Sequence, residues 1–350
     1  MMHNKFINSV IQQIPSFIDK LKDNEIKLYN FCLEGDLHTN FSLSSSVFVS
    51  KILYMLNISD HNTQEVLNKH ILSFYDTKYK LIYDLQIKKR SFLRRFSKSI
   101  YYRNLRYYNY YPSAIAETRQ SLSALICNNY NKKLLINYDY DYKKIITKIK
   151  KLDWTRPWHA CSQLSHIIFF LHYYKKDLKK IKDILNYVEK HYRLNCGSWG
   201  AHDNISIQQK INGSMKMMTI FMLNKDLRNF AKKNNLIDLC LSSINNKHAC
   251  DNFNIICCLY NCSINNNYRI EEIKDFAKDR IKIYQEYYNE IIGGFSFYLS
   301  KSQDYYYDAR ITTGKNTPDL QGTTLFLWGV VMISKILNEE FNNKLNLPIT

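Results

Sequence analysis

The sequence predicts an all-α protein, and three observations support that prediction. Proline and glycine are scarce, with 5 and 9 residues in a chain of 350, so the chain lacks the turn residues that an all-β fold of this length requires. Hydrophobic residues make up 45% of the chain, which is enough for a large core. Apolar helical segments alternate with charged amphipathic segments along most of the chain.

Six apolar segments share one form, a small or polar lead-in followed by about four turns of helix with a period of 3.6 residues. They are apolar on most sides, as helices are when other helices cover them all round. The segments are 42–58, 117–130, 161–174, 211–223, 250–262 and 322–337.

Charged amphipathic helices lie between these segments, for example "DYKKIITKIKKL" and "KKDLKKIKDILNYVEKHY". The buried segments recur about every 40 to 50 residues in the middle of the chain, with longer excursions at 59–116 and 263–321. This alternation of six inner helices with about six outer helices predicts an (α/α)6 toroid, and an open superhelix of helical hairpins is the alternative.

We expect a single toroid domain over residues 1–350. Its N-terminal part, 1–116, has divergent helices and a basic insertion at 77–110, and the recognisable repeats occupy 117–337. Glycines mark the joints between repeats: Gly197 and Gly200 break the chain after an outer helix, with Trp199 filling the corner between them.

Two pairs of a turn and a helix, "GSWG" with "INGSMKMM" and "GGFSF" with "QGTTLFLW", resemble the repeat of the terpenoid cyclase and protein prenyltransferase superfamily. The resemblance implies an α/α toroid whose substrate is a prenyl diphosphate or another isoprenoid. The Asp-x-Asp-Asp motif of class II cyclases and the aspartate-rich magnesium motif of class I synthases are both absent from the sequence. Because polysaccharide lyases, glycoside hydrolases and sugar epimerases use the same toroid, a carbohydrate-active enzyme is the alternative.

The chain is strongly basic, with 49 Lys and Arg against 31 Asp and Glu and a net charge of +18. This excess favours an anionic partner, and we expect an anionic small molecule or an acidic glycan. Basic and aromatic residues interleave between 88 and 108, which leaves open a peripheral membrane contact or a non-catalytic scaffold that binds nucleic acid or membrane there. Since no nucleic-acid-binding motif accompanies them, nucleic acid is not the expected partner.

The cysteines and the N-terminus indicate a cytoplasmic protein. Nine cysteines without an apolar leader are typical of free thiols in a reducing compartment. The longest strongly apolar run, 325–333, is shorter than a membrane span, so we expect a soluble or at most peripheral protein.

In a toroid the N-terminal ends of the inner helices share one rim, where free N–H groups and helix dipoles favour an anion. Polar and aromatic residues lead into five of the inner segments, Glu117 and Gln120 among them, and a polar loop at 303–324 is expected to cover the same rim. The candidate catalytic residues are His159, Asp203, His248, Asp251, Tyr306, Asp308 and Asp319. The candidate substrate-binding residues are Arg119, Arg156, Trp158, Trp199, His202, Asn212, Arg310 and Gln321.

The residue types suggest particular roles. Arg156 can clamp an anion, Trp158 can stack on a substrate and His159 can transfer a proton. Tyr306 can donate a proton, while Asp308 and Arg310 orient or neutralise charge. Helix capping is the alternative role for Asn212, Asp251 and Asp319.

No cofactor is expected. His248, Cys250 and Asp251 offer three ligand types that zinc accepts, but neighbouring positions on one helical turn cannot all face one ion. Zinc or magnesium binding therefore stays an alternative, and no residue is assigned as a metal ligand.

Overall fold

Helices make up most of the protein. A computed structural model describes residues 2–37, 41–89, 92–101, 111–138, 140–339 and 344–349. The structure is 60% helical with few short strands, so the all-α prediction is confirmed. The helices of the described ranges are α1 (Met2–Leu21), α2 (Leu43–Leu56), α3 (His61–Ser73), α4 (Leu85–Lys89), α5 (Phe92–Tyr101), α6 (Tyr111–Cys127), α7 (Tyr142–Lys150), α8 (Pro157–Phe170), α9 (Leu178–Tyr192), α10 (Ile207–Phe221), α11 (Lys233–Leu241), α12 (Ala249–Ser263), α13 (Ile270–Tyr287) and α14 (Leu320–Leu337).

Three two-stranded sheets connect helices within the part of the chain that the structure describes. Each strand is two residues long, so these sheets act as local turns and build no sheet core. They pair β1 (Tyr75–Asp76) with β2 (Leu81–Ile82), β3 (Tyr288–Asn289) with β4 (Gly294–Phe295), and β5 (Tyr305–Tyr306) with β6 (Ala309–Arg310).

The six apolar segments form α2, α6, α8, α10, α12 and α14, and these helices are buried along most of their length. The charged segments form the helices between them, which bury one stripe only. In α9 the buried residues follow helical spacing, at Ile181, Ile184, Leu185 and Val188. Buried helices and helices with a single buried stripe therefore alternate along most of the chain.

The chain divides into two compact units that interleave in sequence. Unit 1 contains Met1–Ile11, Tyr138–Tyr288 and Leu325–Thr350, and unit 2 contains Gln12–Asn137 and Asn289–Thr324. Helices α1 and α14 each contribute residues to both units. The expectation of one toroid domain over the whole chain stays a prediction.

In unit 1 the inner helices pack in succession. Helix α10 packs against both α8 and α12, while α11 and α13 cover α12. Gly213 permits the close approach of α10 to α8, because a Cβ at this position would lie 2.9 Å from the backbone of Pro157. Trp328 of α14 stacks on Phe253 of α12, with ring centroids 4.6 Å apart.

Trp199 fills the corner between two repeats of unit 1. Its indole is wholly buried, and its Nε1–H donates to Glu189 Oε1 at 3.0 Å. The guanidinium of Arg193 lies over the indole, 3.8 Å from the ring centroid. Gly197 has a φ of +79°, the left-handed region that favours glycine, and a Cβ there would meet the backbone of Leu236. The "GSWG" turn therefore holds a buried tryptophan between α9 and α10.

In unit 2 the inner helices α2 and α6 pack against each other, and α3 contacts both of them. The β1–β2 hairpin is joined to α6 by Thr118, whose hydroxyl accepts from the Ile82 N–H at 3.1 Å. Of the basic segment 88–108, residues 90–91 and 102–108 lie outside the described residues. Arg95 of α5 donates to the carbonyl of Ile87 at 3.0 Å.

Helix α14 is an apolar core helix. Within the described ranges it alone is long and apolar enough to cross a membrane, with a mean hydropathy of 1.4 over 18 residues. In this structure 78% of those residues are buried inside the protein, as in the central helix of a soluble protein.

Candidate functional site

Helix α6 and the β5–β6 hairpin bring five polar side chains into one buried region of unit 2, which we call the α6–hairpin cluster. It consists of Glu117 and Arg119 of α6 with Tyr306, Tyr307 and Asp308 of the hairpin. All are buried except Tyr307, which is partly exposed. The cluster contains three residues predicted separately from the sequence: Arg119, Tyr306 and Asp308.

The hairpin holds its tyrosines in a strained turn. Tyr305 pairs with Arg310 and Tyr306 with Ala309, so Tyr307 and Asp308 form the turn itself. Tyr307 has a φ of +49°, in the left-handed region that a bulky side chain rarely adopts. Such a conformation persists where surrounding contacts fix it, and it is found often at functional sites.

Glu117 is a carboxyl group buried inside the α6–hairpin cluster. Its Oε2 accepts a hydrogen bond from the N–H of Asp84 at 2.7 Å. Burial raises the pKa of Glu117 well above its usual range; the Asp84 N–H opposes this shift, and the carboxylates of Asp84 and Asp308 add to it. Glu117 therefore keeps its proton to a higher pH than an exposed glutamate does.

Arg119 is the buried cation of the cluster. Burial lowers the pKa of Arg119 to about 10, and the neighbouring hydroxyls of Tyr307 and Tyr306 oppose the shift. The guanidinium thus stays charged at neutral pH. Its desolvated charge strengthens any interaction with an anion, because little water screens it.

The rings of Tyr306 and Tyr307 lie 4.4 Å apart, and Gln120 of α6 lies near the Tyr307 phenol. Burial raises the pKa of Tyr306 well above its usual value and that of Tyr307 to about 12, so both phenols are neutral at neutral pH. Lys51 of α2 supplies a second buried cation and donates to Gln120 Oε1. Proton donors and cations therefore lie side by side, an arrangement suited to acid–base chemistry on an anion.

Three members of this region were not predicted from the sequence. Ser113 donates to Asp308 Oδ2 at 2.6 Å, and Asp84 contacts Glu117 through its backbone. Lys51 had a usable signal, because a lysine within the helix "LSSSVFVSKILYML", which is otherwise small and apolar, has to be buried or paired. Ser113 and Asp84 carry no comparable signal, because polar residues are frequent near turns.

The position of Glu117 and Arg119 differs from the expected one. The sequence places them at the start of an inner helix, but α6 already begins at Tyr111, so both lie in its middle. Pro112 stands in the first turn, where its missing N–H costs no hydrogen bond. The helix therefore extends further back than the run of apolar residues indicates.

In unit 1 the first turns of α8, α10 and α12 carry a second group of candidate residues around Asp251, which we call the Asp251 cluster. The carboxylate of Asp251 is wholly buried and accepts from Asn212 Nδ2 at 2.7 Å and from Gln208 Nε2 at 2.8 Å. The N–H of Asp251 donates to Nδ1 of His248, which caps α12, at 3.3 Å. The ring of Trp158 lies 6.3 Å from that of His248.

His248 and Asp251 form a close pair. Its Nε2 lies 3.6 Å from Asp251 Oδ2. Burial lowers the pKa of His248, and the carboxylate of Asp251 opposes the shift. His248 and Asp251 thus both serve in the first turn of α12, His248 as its cap and Asp251 as the acceptor that holds α10.

The remaining candidates of unit 1 are more dispersed. The amide of Gln163 lies 3.3 Å from each ring nitrogen of the half-buried His159. Arg156 precedes α8 and makes no side-chain capping bond. His202 and Asp203 are exposed, and Lys210 donates to the Asp203 carbonyl at 2.6 Å. The Trp199 indole is enclosed in its corner, where it supports the fold.

Asp319 and its neighbours belong to unit 2. The wholly buried Asp319 carboxylate accepts from the N–H groups of Gly322 at 2.8 Å, Phe297 at 2.8 Å and Gln303 at 3.1 Å, which favours the capping role. Burial raises the pKa of Asp319 to about 6, and these backbone donors oppose the shift. Arg310 is exposed on β6, and Gln321 is half-buried in the first turn of α14.

The predicted convergence of Trp158, His159, Asp203, His248 and Asp319 stays a prediction, since Asp319 lies in the other unit. Among the residues that the structure describes, no three His, Cys, Asp or Glu side chains are arranged to hold a metal ion. His248 and Asp251 are engaged in capping and in the contact with α10.

The resemblance to the terpenoid cyclase and prenyltransferase superfamily rests on turns and helices whose local structure is as expected. The "GSWG" turn precedes α10, and "GGFSF" precedes α14. Comparison of the chain with protein-family models, with curated proteins and with solved structures finds no match.

Proposed function

We propose that the protein is an (α/α)6 toroid. The alternation of buried and amphipathic helices along the chain supports this architecture. So does the packing of consecutive inner helices within each unit, α8 to α10 to α12 in unit 1 and α2 to α6 in unit 2.

We further propose that it is an enzyme that transfers a proton on an acidic glycan or sugar intermediate at the α6–hairpin cluster. One observation carries the proposal: Glu117 and Arg119 are buried in the same region as the strained tyrosine turn. Groups that differ in charge and pKa in this way are typical of acid–base sites.

Each group has a role in this proposal. Arg119 and Lys51 bind the carboxylate of the substrate and neutralise its charge. Glu117, which holds its proton, donates it to the glycosidic oxygen as the C–O bond breaks and a C=C bond forms next to the substrate carboxylate. Tyr307, the partly exposed member of the cluster, takes the proton from the carbon that bears this carboxylate while its own hydroxyl proton passes through Tyr306 to Glu117, which is thereby reprotonated.

A prenyl diphosphate is the second candidate substrate, and a row of aromatic rings favours it. The rings of Phe31 and Phe48 lie 6.0 Å apart, and that of Tyr306 lies 5.1 Å from Phe48. Such a row can pack along a hydrocarbon chain whose diphosphate binds Arg119 and Lys51. The glycan is preferred because the cluster is dominated by side chains that form hydrogen bonds.

The test compares polygalacturonate, alginate and chondroitin sulfate with farnesyl diphosphate, using calorimetry for binding and mass spectrometry for products. We expect binding and turnover of an acidic glycan. Glu117→Gln should lower kcat by about 100-fold or more while binding persists, because the side chain keeps its shape and loses its proton. Glu189→Gln is the matched control, since Glu189 is a hydrogen-bonded carboxyl whose pKa burial also raises, in unit 1.

Two results overturn the glycan proposal. One is turnover of farnesyl diphosphate without any glycan activity, which selects the second candidate. The other is a Glu117→Gln variant as active as the Glu189→Gln control, which removes Glu117 from the chemistry.

A further inference from the structure

The N-terminal turns of α8 and α12 bring an aromatic ring near His248, whose imidazole lies 3.6 Å from a buried carboxylate. Trp158 is half-buried in the first turn of α8, and its ring is tilted by 30° to that of His248. Asp251, one turn into α12, is wholly buried and directed towards α10. Apolar ring faces and fixed hydrogen-bonding groups together are what recognition of a small polar ring requires.

The carboxylate is held in one orientation. Asn212 Nδ2 donates a hydrogen bond to Asp251 Oδ1 at 2.7 Å, and Gln208 Nε2 donates one to Asp251 Oδ2 at 2.8 Å. Asn245 in turn donates to Asn212 Oδ1 at 3.2 Å, so the amide of Asn212 is fixed as well. Each carboxylate oxygen has two lone pairs and can still accept from a ligand hydroxyl.

Asn254 adds an independent observation. It is wholly buried, and neither its Oδ1 nor its Nδ2 finds a hydrogen-bond partner in the described part of the protein. It lies three residues after Asp251, on the adjoining side of α12. Burying an amide without hydrogen-bond partners is unfavourable, so its position indicates a polar partner that completes the site.

The charge of the site selects an uncharged ligand. Arg280 is turned away, because its guanidinium donates to Asn252 Oδ1 at 3.1 Å and to the carbonyl of Ile244 at 2.8 Å. The anion that the helix N-termini favour is supplied by the Asp251 carboxylate itself, and its charge disfavours a second anion there. Hydroxyl groups suit its lone pairs, and the apolar face of a sugar ring suits the indole of Trp158.

We infer that unit 1 carries a binding site for a neutral sugar ring, formed by Trp158, Gln208, His248, Asp251 and Asn254. The site lies within unit 1 and does not depend on the reaction proposed for the α6–hairpin cluster. It extends the ligand range of the protein from anionic groups to uncharged carbohydrate.

The test uses the full chain and ligand-observed NMR with methyl α-glucoside, methyl α-mannoside, methyl α-galactoside and N-acetylglucosamine, each up to about 50 mM. We expect at least one of them to bind, and glucuronate to bind more weakly than the glucoside. Trp158→Ala should weaken binding by about tenfold or more, as removal of a central aromatic anchor does. Gln208→Ala should weaken it by about threefold to tenfold, because the carboxylate loses its orientation.

Two controls isolate the site. Tyr142→Ala removes an exposed aromatic side chain elsewhere in unit 1 and should leave binding unchanged. Glu117→Gln should also leave it unchanged, which separates this site from the proposed reaction. If Trp158→Ala does not fold, Gln208→Ala decides alone, since its side chain is partly exposed.

Three results overturn the inference. The first is the absence of binding by all four neutral sugars. The second is unchanged sugar affinity in folded Trp158→Ala, or in Gln208→Ala where Trp158→Ala does not fold. The third is tighter binding of glucuronate than of the glucoside, since a negative site cannot favour the acid.

Discussion

Glu117 links the stability of the protein to pH. A carboxyl whose pKa is raised on folding binds its proton more tightly in the folded than in the unfolded state, so its contribution to stability is complete below the ordinary glutamate pKa and is lost as pH rises through the folded value. We expect Glu117→Gln, which carries no titrating proton, to show a smaller loss of stability with rising pH than the wild type. Urea denaturation from about pH 4 to pH 8 measures this difference.

Glu271→Gln serves as the control, since Glu271 is 76% exposed in its ion pair with Lys274. Its pH profile should follow that of the wild type. Identical profiles for Glu117→Gln and the wild type would show that the Glu117 pKa is not raised, and the role of proton donor would fail with it.

At the residue level the sequence indicates which side chains have the chemistry of a site, but it does not indicate which of them lie together in the structure. Arg119, Tyr306 and Asp308 were each selected for their chemistry, and the structure places them in one cluster. Their meeting depends on the turn of a hairpin with strands of two residues, which leaves no period in the sequence. Lys51 is not predicted as a site residue, because the small and apolar residues around it indicate only a buried helix.

Asp319 shows what a capping residue contributes when it is buried. Its carboxylate accepts three backbone N–H groups from two segments and from α14, whereas Asp60 caps α3 at an exposed position. We expect Asp319→Ala to lower the free energy of unfolding by about 3 kcal/mol or more, because buried donors are left unpaired. Asp60→Ala should lower it by about 1 kcal/mol. Chemical denaturation of both variants measures the difference, and equal losses would contradict the structural account.

Replacing Gly213 by alanine should destabilise the protein, which is the opposite of the usual effect of this substitution within a helix. Replacing glycine by alanine within a helix normally stabilises it by about 1 kcal/mol. At Gly213 the added Cβ would lie 2.9 Å from the backbone of Pro157 and force α8 and α10 apart, which typically costs about 1 to 3 kcal/mol. We therefore expect Gly213→Ala to melt at a lower temperature than the wild type.

Ser214→Ala is the neighbouring control. The hydroxyl of Ser214 bonds only the Lys210 carbonyl of its own helix, at 2.8 Å, so its loss should change stability by less than about 0.5 kcal/mol. A Gly213→Ala variant more stable than the wild type would mean that α8 and α10 are not in close contact.

Helices whose apolar residues follow a clear helical period can be predicted from the sequence. The helix ends and the segments that connect the helices are harder to predict. The apolar segments became buried helices because an all-round apolar surface has to be covered. Helix α6 began at Tyr111, before the predicted start, because its first turns are less apolar than its end. The polar loop 303–324 contains the β5–β6 hairpin and the start of α14, and short pairings of this kind depend on contacts with distant residues.

For the whole molecule, the net charge of +18 makes salt dependence a test of the partner. An anion site at the helix rim that the sequence predicts would make Arg156→Ala or Arg310→Ala weaken the binding of a small anion by about 1.5 to 3 kcal/mol, whereas the proposed site at the α6–hairpin cluster places this loss in Arg119→Ala. Neutralising the basic residues of 88–98 together should change the affinity little at physiological salt, because exposed charges beyond about 8 Å are screened. Binding titrations of galacturonate at two salt concentrations compare the arginine variants with the 88–98 variant.

The opposite pattern would contradict a small anionic partner. Loss of binding in the 88–98 variant, with a steep salt dependence and intact binding in the arginine variants, would indicate a nucleic-acid or membrane partner. That outcome would favour the scaffold alternative over both enzyme proposals.

At this scale the sequence predicts the alternation of buried and amphipathic helices, whereas the division into two compact units has no local signal in the sequence. Layering follows from local periodicity, which each segment carries by itself. The division into units depends on which distant segments pack together, such as 12–137 with 289–324. No local pattern encodes that choice.

The cysteines supply the protein with a built-in chemical reporter. All nine are free thiols; Cys196 and Cys250 are partly exposed and the other seven are buried. Because burial raises the pKa of thiols such as Cys161, alkylating reagents should modify the two partly exposed sites first. Cys32 and Cys127 lie in unit 2, and the other five buried thiols in unit 1. Peptide mass spectrometry of a labelling time course would therefore reveal whether the two units open together or one before the other.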